Sequence, residues 1–329
     1  MTKQRVYLDK CFWVSLRDVH LKRSLNPTTR HLLDTLLEAV SNEKIVCPLS
    51  ASLFVELMRQ SDPFTRNATA KLMDMLSGGL SFIPHKDRVS TEMAHFLHQR
   101  AGYTVHPVEV LVWTKAPYVL GMQHPIGRLF APEDQTMIQK AFFDHMSSIS
   151  LEEMVTTIGD SWFPDTPFGA AADRINQANK LHSDELKSFE ATFRAELLGI
   201  VDLCTSTARD VLTKMSADGR AAAGVELASD GSLRAFLKAL AFEPGAPTGL
   251  RTLHISASLH AAVRWNRGKK LSANDLLDFQ HAETAIAYCD VFLTDGPLRS
   301  LLTQKNLGLS KSFPCRISST AEEAIAWLP

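Results

Sequence analysis

The stretch DLLDFQHAETAIAYCDVFLTDG, residues 275–296, joins a helical pattern to a short strand pattern and carries several carboxylates. Its first part repeats apolar residues at helical spacing among alanines, without Gly or Pro, and this predicts a helix over 274–289. The run VFLT that follows is short, β-branched and aromatic, and it stops at an Asp-Gly-Pro sequence. It predicts a buried strand over 291–294 that ends in a sharp turn. Asp295 therefore lies just beyond the carboxyl end of this strand.

Strand and helix geometry indicate which aspartates of this stretch can share one site. Asp290 and Asp295 stand at opposite ends of the predicted strand, and five residues at ~3.3 Å each place them roughly 16 Å apart. They cannot share one small site, and Asp290 is interpreted as structural. Asp275 and Asp278 are three residues apart on the helix and lie on one face, so either can face the end of the sheet.

Both ends of the chain show α/β patterns. The segment RVYLD predicts a short buried strand that closes on Asp9, and KIVCPLS predicts a second strand over 44–50. Helical patterns follow each of them, and the closing part of the chain repeats the order. The predicted elements after the strand at 291–294 are a helix at 297–304, a strand at 315–318 and a helix at 321–328.

The middle of the chain is helical in pattern. Residues 104–260 show mainly helical periodicity, interrupted by Pro- and Gly-rich segments such as FPDTPFGA and EPGAPTG. The predicted fold class is therefore α/β, with a doubly wound, mainly parallel sheet and a large all-helical insertion. The sheet domain is discontinuous, over 1–103 and 261–329, and the insertion covers 104–260.

Composition limits the classes of function. The formal net charge of -1 gives no global attraction to polyanions, so nucleic-acid binding would need a local basic patch. The five cysteines are scattered singly without a CxxC motif, which favours a reducing, cytoplasmic location. The amino-terminal segment lacks the apolar core of a signal peptide, and no run approaches the ~18 apolar residues of a membrane helix. No membrane partner is expected.

The predicted topology brings carboxylates together. If the first strand and the strand at 291–294 are neighbours in one sheet, Asp9 and Asp295 lie at its carboxyl edge, where such sheets bind ligands. Glu56 enters from the helix after the second strand, and Asp278 from the helix before the later strand. Four clustered carboxylates repel one another unless divalent cations hold them. Oxygen ligands without His or Cys at ligand spacing favour one or two Mg²⁺ or Mn²⁺ ions over zinc.

This ordered set of acids resembles the PIN-domain superfamily of metal-dependent nucleases. The resemblance rests on Asp9 after a strand, Glu56 on a helix, Asp278 followed by HAETA, and Asp295 in FLTD. It covers roughly residues 1–100 and 265–329. The family commonly has a small hydroxyl residue and then an amide or hydroxyl after its first Asp, whereas this chain has Lys10 and Cys11.

The resemblance implies metal-dependent hydrolysis of phosphodiester bonds. All four acids would be catalytic metal ligands, with Asp9 and Asp278 as the principal ligands and Glu56 and Asp295 completing the site directly or through water. Thr294 would position a ligand or a water, and Asp275 is retained as an outer member. The histidine at 281 is interpreted as a surface or packing residue rather than a proton shuttle.

The expected substrate is nucleic acid, with RNA preferred over DNA because RNA is the commoner substrate among the proteins that this chain resembles. The segment VRWNRGKK places cations around Trp265 just before the acidic helix, a combination that can hold phosphates and stack a base, although ordinary surface charge explains it equally well. Lys22, Arg23 and Arg30 can extend this track. A second copy of the chain or a protein inhibitor is retained as a further partner. The candidate nucleic-acid-binding residues are Arg264, Trp265, Arg267, Lys269 and Lys270.

Two other classes of function remain open. A phosphatase of the haloacid-dehalogenase type also begins with a strand-terminal Asp, but it needs a second Asp two residues later, where this chain has Cys11. A catalytically silent binding module on a nuclease-like fold is the stronger alternative, because the insertion could be the working part and Lys10 could take the metal's place. Retention of all four acids argues against it.

Overall fold

The computed structural model describes residues 3–122, 125, 131–159, 168–183, 187–217, 229–266 and 268–329. In these ranges no helix is both long and apolar enough to cross a bilayer. The strands are β1 (Gln4–Leu8), β2 (Ile45–Val46), β3 (Leu80–Phe82), β4 (Trp113–Lys115), β5 (Val291–Leu293) and β6 (Arg316–Ser318). The helices are α1 (Lys10–His20), α2 (Pro27–Ser41), α3 (Ala51–Met58), α4 (Pro63–Ser77), α5 (His85–Arg100), α6 (Val108–Leu111), α7 (Pro132–Ser148), α8 (Leu151–Ile158), α9 (Phe168–Leu181), α10 (Phe189–Leu203), α11 (Thr205–Ala217), α12 (Asp230–Leu240), α13 (Ala246–Gly249), α14 (Arg251–Trp265), α15 (Ala273–Tyr288), α16 (Gly296–Leu302), α17 (Leu309–Ser312) and α18 (Ala321–Ile325).

Strands from the two ends of the chain form one parallel sheet of order β2-β1-β5-β6. In its centre Val6 pairs with Val291 and Leu8 with Leu293. The apolar side chains of both strands are fully buried, as a parallel sheet covered by helices requires. The predicted parallel sheet, with chain-end strands as neighbours, is confirmed.

The second strand is much shorter than predicted, because pairing with β1 stops at Val46 rather than at residue 50. Pro48 has no backbone N–H to continue the ladder. The N–H groups of Cys47 and Leu49 bond instead to the carbonyls of Leu76 and Leu80. The chain thereby turns away from the main sheet toward a second, two-stranded sheet.

This second sheet, the antiparallel pair β3–β4, corrects the prediction of an all-helical insertion. β4 lies within 104–260, and Trp113 at its start stacks on the Phe82 ring with centroids 4.2 Å apart. The long-range stacking partner explains why a three-residue strand forms where local periodicity is weak. The predicted boundary between residues 260 and 261 also falls inside a continuous helix, α14.

Helices from the middle of the chain pack into the core that surrounds the main sheet. Leu151 and Val155 of α8 belong to this core. Asp74 of α4 accepts hydrogen bonds from the N–H groups of Leu151 and Glu152, both at 2.8 Å, and so satisfies two donors of the first turn of α8. The middle of the chain is therefore bonded to the first hundred residues.

A second apolar core joins α5 to α10–α14. Its helices approach closely at Gly249, where an added Cβ would stand 2.3 Å from the Phe96 ring. Glu92 of α5 is fully buried and accepts hydrogen bonds from the Thr252 hydroxyl and the Tyr288 hydroxyl, each at 2.6 Å. This carboxylate links the second core to α15, the helix of the opening stretch.

Candidate metal and catalytic site at the carboxyl edge of the sheet

Asp9 is buried at the junction of β1 and α1, with 6% of its surface exposed. Its backbone N–H bonds to the carbonyl of Leu293 and so extends the β1–β5 ladder by one residue. Oδ1 accepts the N–H of Lys10 at 2.6 Å, and Oδ2 accepts the hydroxyl of Thr294 at 2.7 Å. Asp9 is thus both the amino-terminal cap of α1 and a carboxylate held in one orientation at the sheet edge.

Thr294 and Asp295 follow β5 at the same edge. Thr294 is fully buried and donates to Asp9, so the predicted positioning role of its hydroxyl has a structural counterpart. Asp295 is exposed and caps α16, with Oδ1 accepting the N–H of Leu298 at 2.7 Å. Asp295 therefore contributes its charge from the solvent side of the edge.

Glu56 enters the edge from α3, and only 4% of its surface is exposed. Its Oε2 accepts a hydrogen bond from Nε2 of His281 at 3.1 Å. Its Oε1 lies 3.8 Å from Nζ of Lys10. A buried carboxylate needs such partners, because desolvation without them is costly.

His281, which the sequence analysis interprets as a surface or packing residue, lies within the acidic cluster. It is fully buried, and its Nδ1 lies 2.7 Å from the Tyr7 hydroxyl, which in turn lies 2.6 Å from the Ser50 hydroxyl. Burial acts to lower the pKa of His281, but the bond to Glu56 and the nearby carboxylates outweigh it, so the pKa is raised. The available signal was spacing, since His281 follows Asp278 by three residues and shares its helix face.

Asp278 faces the same cluster from α15. Its pKa is raised to about 7, mainly by burial and also by the charges of Asp9, Glu56 and Asp295, against the opposing effect of His281. Its carboxylate accepts a hydrogen bond from the amide of Asn274 at 3.2 Å. Asp278 is thus electrostatically coupled to the other three predicted acids.

The donor set at this edge suits a divalent cation. Asp9, Glu56 and His281 each offer one atom within 4.8 Å of the others. Both ring nitrogens of His281 already have partners, Glu56 and Tyr7, so the imidazole orients a carboxylate rather than standing free as a ligand. Carboxylate oxygens are the ligands of hard cations such as Mg²⁺ and Mn²⁺.

Two other aspartates of the opening stretch have structural partners. Asp275 completes a capping box with Ser272 at the start of α15 and lies 3.2 Å from Nζ of Lys269. Asp290 lies at the opposite edge of the sheet, where it accepts hydrogen bonds from the backbone and the guanidinium of Arg5. Asp275 therefore secures the helix that carries Asp278, and the structural interpretation of Asp290 is supported.

The predicted nucleic-acid-binding residues divide by their partners. Arg264 donates to Glu196 at 2.7 Å, and Lys269 is paired with Asp275. Trp265 is 45% exposed and meets the Phe189 ring edge-on. Lys270 is exposed. Arg267 lies outside the described residues.

Two of the three residues suggested to extend the basic track make contacts with neighbouring helices. A guanidinium N–H of Arg30 donates to the carbonyl of Val19, and the guanidinium of Arg23 lies over the Phe64 ring. Lys22 has a positive φ of 58° in the turn after α1. Arg23 and Arg30 thus serve local packing.

A cavity of about 270 Å³ adjoins the acidic edge. Its lining includes Thr294 and Asp295 together with the hydroxyls of Ser15, Thr29 and Ser319. The remaining lining residues are Cys11, Phe12, Leu32 and Ala321, so the cavity is mixed in polarity and touches Asp295 alone among the four acids.

Comparison of the chain with protein-family models, with curated proteins and with solved structures returned no match. The chemistry of the sheet edge therefore carries the functional inference.

Proposed function

We propose that this chain is a metal-dependent nuclease that hydrolyses phosphodiester bonds, with RNA preferred over DNA. The observation that carries the proposal is the approach of the Asp9 and Glu56 carboxylates within 4.8 Å at the carboxyl edge of a parallel sheet, where His281 orients Glu56. Such an edge is where open α/β sheets bind ligands. The resemblance of the acidic pattern to PIN-domain nucleases supports the same reaction and the preference for RNA.

Asp9 and Glu56 would hold the Mg²⁺ or Mn²⁺, and Asp278 and Asp295 would complete the site directly or through water. When bound, the ion would supply a nucleophilic water of lowered pKa and would neutralise charge on the departing oxygen. The metal preference follows from the carboxylate donors, since His281 already bonds through both nitrogens.

The chain's own residues orient these donors. The Thr294 hydroxyl and the Lys10 N–H hold the two oxygens of Asp9, and His281 holds Oε2 of Glu56. Without a metal the pKa of Asp278 is raised to about 7, so this carboxyl takes up a proton near neutral pH. A bound divalent cation would hold Asp278 ionised, and metal binding would then release that proton.

A second candidate function is a catalytically silent nucleic-acid-binding or interaction module. Lys10 favours it, because its Nζ lies 3.8 Å from Oε1 of Glu56 and supplies positive charge to the acids without a metal. On this reading Lys10 and His281 together balance the buried carboxylates, and the fold retains the site for binding alone.

Cleavage assays with matched variants separate these functions. Labelled single-stranded RNA and DNA are incubated with wild-type protein, Asp9→Asn, Asp278→Asn and the control Asp34→Asn, in Mn²⁺, Mg²⁺ or chelator. Asp34 is exposed on α2, so its substitution makes the same chemical change away from the acids. We expect the site variants and the chelator to reduce cleavage by at least about 100-fold, because ligand charge is lost while shape is kept.

Cleavage that persists in chelator and in both site variants would contradict the nuclease proposal. Binding of nucleic acid by the wild-type protein without cleavage under any metal would support the silent module instead.

A further inference from the structure

A polar groove of about 670 Å³ runs between α9 and the segment that connects α14 to α15. Side-chain amides and cations make up much of its lining: Asn176, Gln177, Asn179, Lys180, Lys269 and Lys270. Lys180 was not singled out by the sequence, because α9 lies far from VRWNRGKK along the chain.

The walls of the groove are fixed to each other. The amide of Asn176 donates to the carbonyl of Leu271 and accepts from its N–H, both at 2.8 Å. Lys269 is held 3.2 Å from Asp275 in the capping box that begins α15. The groove is therefore formed before any ligand binds, which reduces the entropy lost on binding.

The free charge of the groove is positive. Lys180 and Lys270 are exposed and have no ion pair among the described residues. Arg264 and Lys269, which also line the groove, are balanced by Glu196 and Asp275, and Asp173 is the acid among its lining residues. Two ammonium groups beside the side-chain amides of Gln177 and Asn179, which have no hydrogen-bond partner among the described residues, suit an anion that also carries hydrogen-bonding groups.

The groove adjoins the start of α15, because Lys269 in its lining lies 3.2 Å from Asp275. Asp278 follows Asp275 by one turn of α15, a rise of roughly 5 Å, and Asn274 in that turn donates to Asp278. A ligand along the groove would thus reach the start of the helix that presents a proposed catalytic carboxylate.

We infer that this groove binds single-stranded nucleic acid, with Lys180 and Lys270 on phosphates and the amides of Gln177 and Asn179 on exposed base edges. The choice of nucleic acid as the ligand rests on the proposed function, but the binding itself does not require that the protein cleaves it. The Watson–Crick edges of the bases are free for such bonds in a single strand, whereas base pairing occupies them in a duplex. Trp265 is not among the lining residues, so charge and hydrogen bonds, rather than stacking on this ring, supply the affinity.

The test compares two double variants that each remove two positive charges. Lys180→Gln with Lys270→Gln alters the groove, and Lys71→Gln with Lys214→Gln alters exposed positions on α4 and α11. Binding of a fluorescent single-stranded RNA of mixed sequence is measured by anisotropy in chelator from about 50 to 300 mM salt, so that cleavage cannot interfere.

We expect the groove variant to lose on the order of tenfold in affinity at 0.1 M salt, and its log–log salt slope to fall in magnitude by about 1.4. The control variant should match the wild type in both quantities. Equal affinity and slope in the two double variants, or no binding by the wild type, would overturn the inference.

The binding test of the groove and the cleavage assay of the proposed function can fail independently of each other. Binding that depends on the groove lysines without any metal-dependent cleavage would leave the groove assignment standing and remove the nuclease. Metal-dependent cleavage, together with unchanged binding in the groove variant, would support the nuclease and remove the groove assignment.

Discussion

At the scale of single residues, the same carboxylates serve local structure and the proposed chemistry. Asp9 caps α1 and Asp295 caps α16, so helix capping alone explains an aspartate at each position. Glu56 and Asp278 differ, because neither caps a helix and both are placed among other acids. No local structural role explains their positions, and the ionised form of Asp278 costs stability because its pKa is raised to about 7.

Asp278→Asn is expected to stabilise the metal-free protein at neutral and alkaline pH. The pKa of Asp278 is raised from 3.8 to about 7 in the folded state, so the folded state binds more protons between these values and stability falls as pH rises through them. Removing the ionisable group should add roughly 2 kcal/mol at pH 8, after allowance for solvent screening, and little at pH 4.

Urea denaturation of both proteins in chelator from pH 4 to 8 measures this difference. A stability gain that is the same at every pH would show that the pKa of Asp278 is not raised in the folded state. Addition of Mg²⁺ should narrow the gap at pH 8, because an ion that binds the folded wild type stabilises it by mass action.

At the scale of elements, a glycine at a close helix contact has a different effect on stability from a glycine on an exposed helix surface. Gly249 ends α13 against Phe96 of α5, and a Cβ there would stand 2.3 Å from the ring. Gly199 lies in the middle of α10, is exposed, and has nothing within 4 Å of an added Cβ. The first glycine is required by packing, and the second only weakens its helix.

Gly249→Ala should therefore destabilise the protein by about 1–3 kcal/mol through overpacking. Gly199→Ala should stabilise it by roughly 0.5–1 kcal/mol, because alanine loses less backbone entropy in a helix. Thermal and urea unfolding of the two variants check both signs. A gain from both substitutions would mean that α5 and α13 are less closely packed than described.

At the scale of the whole molecule, two apolar cores meet along α14 and α15. The first surrounds the main sheet, and the second joins α5 to the helices of the middle segment. Glu92 connects them, since it accepts hydrogen bonds from Thr252 of α14 and Tyr288 of α15. Loss of the second core should therefore disturb the helix that carries Asp278 and His281.

Acid should weaken the second core through His254. Burial lowers its pKa from 6.5 to about 4, partly opposed by its bond to the carbonyl of Ala241. The unfolded state then binds more protons between pH 6.5 and 4, so stability should fall as pH decreases through this window, by up to about 3 kcal/mol.

His254→Gln should remove this part of the pH dependence while retaining a side-chain donor. The measurement is the difference in unfolding free energy between variant and wild type at pH 7 and at pH 4.5. A difference that does not change between the two pH values would contradict the buried, neutral state of His254.

The sequence by itself determined the elements whose signal is local. Strand and helix periodicities placed Asp9 and Asp295 after two buried strands, and the rule that parallel strands share a carboxyl edge brought them together. The capping residues of α1, α15 and α16 are likewise readable from neighbouring positions. These features depend on interactions within a few residues, which a periodic pattern records.

Only the tertiary structure decided which distant groups became partners. His281 meets Glu56 across 225 positions, Trp113 finds Phe82 in an unpredicted sheet, and Lys180 joins Lys270 in one groove. No local pattern encodes these pairings, because burial and packing select them after the elements have formed. For the same reason Arg264 and Lys269, which look free in the sequence, are balanced by Glu196 and Asp275 in the fold.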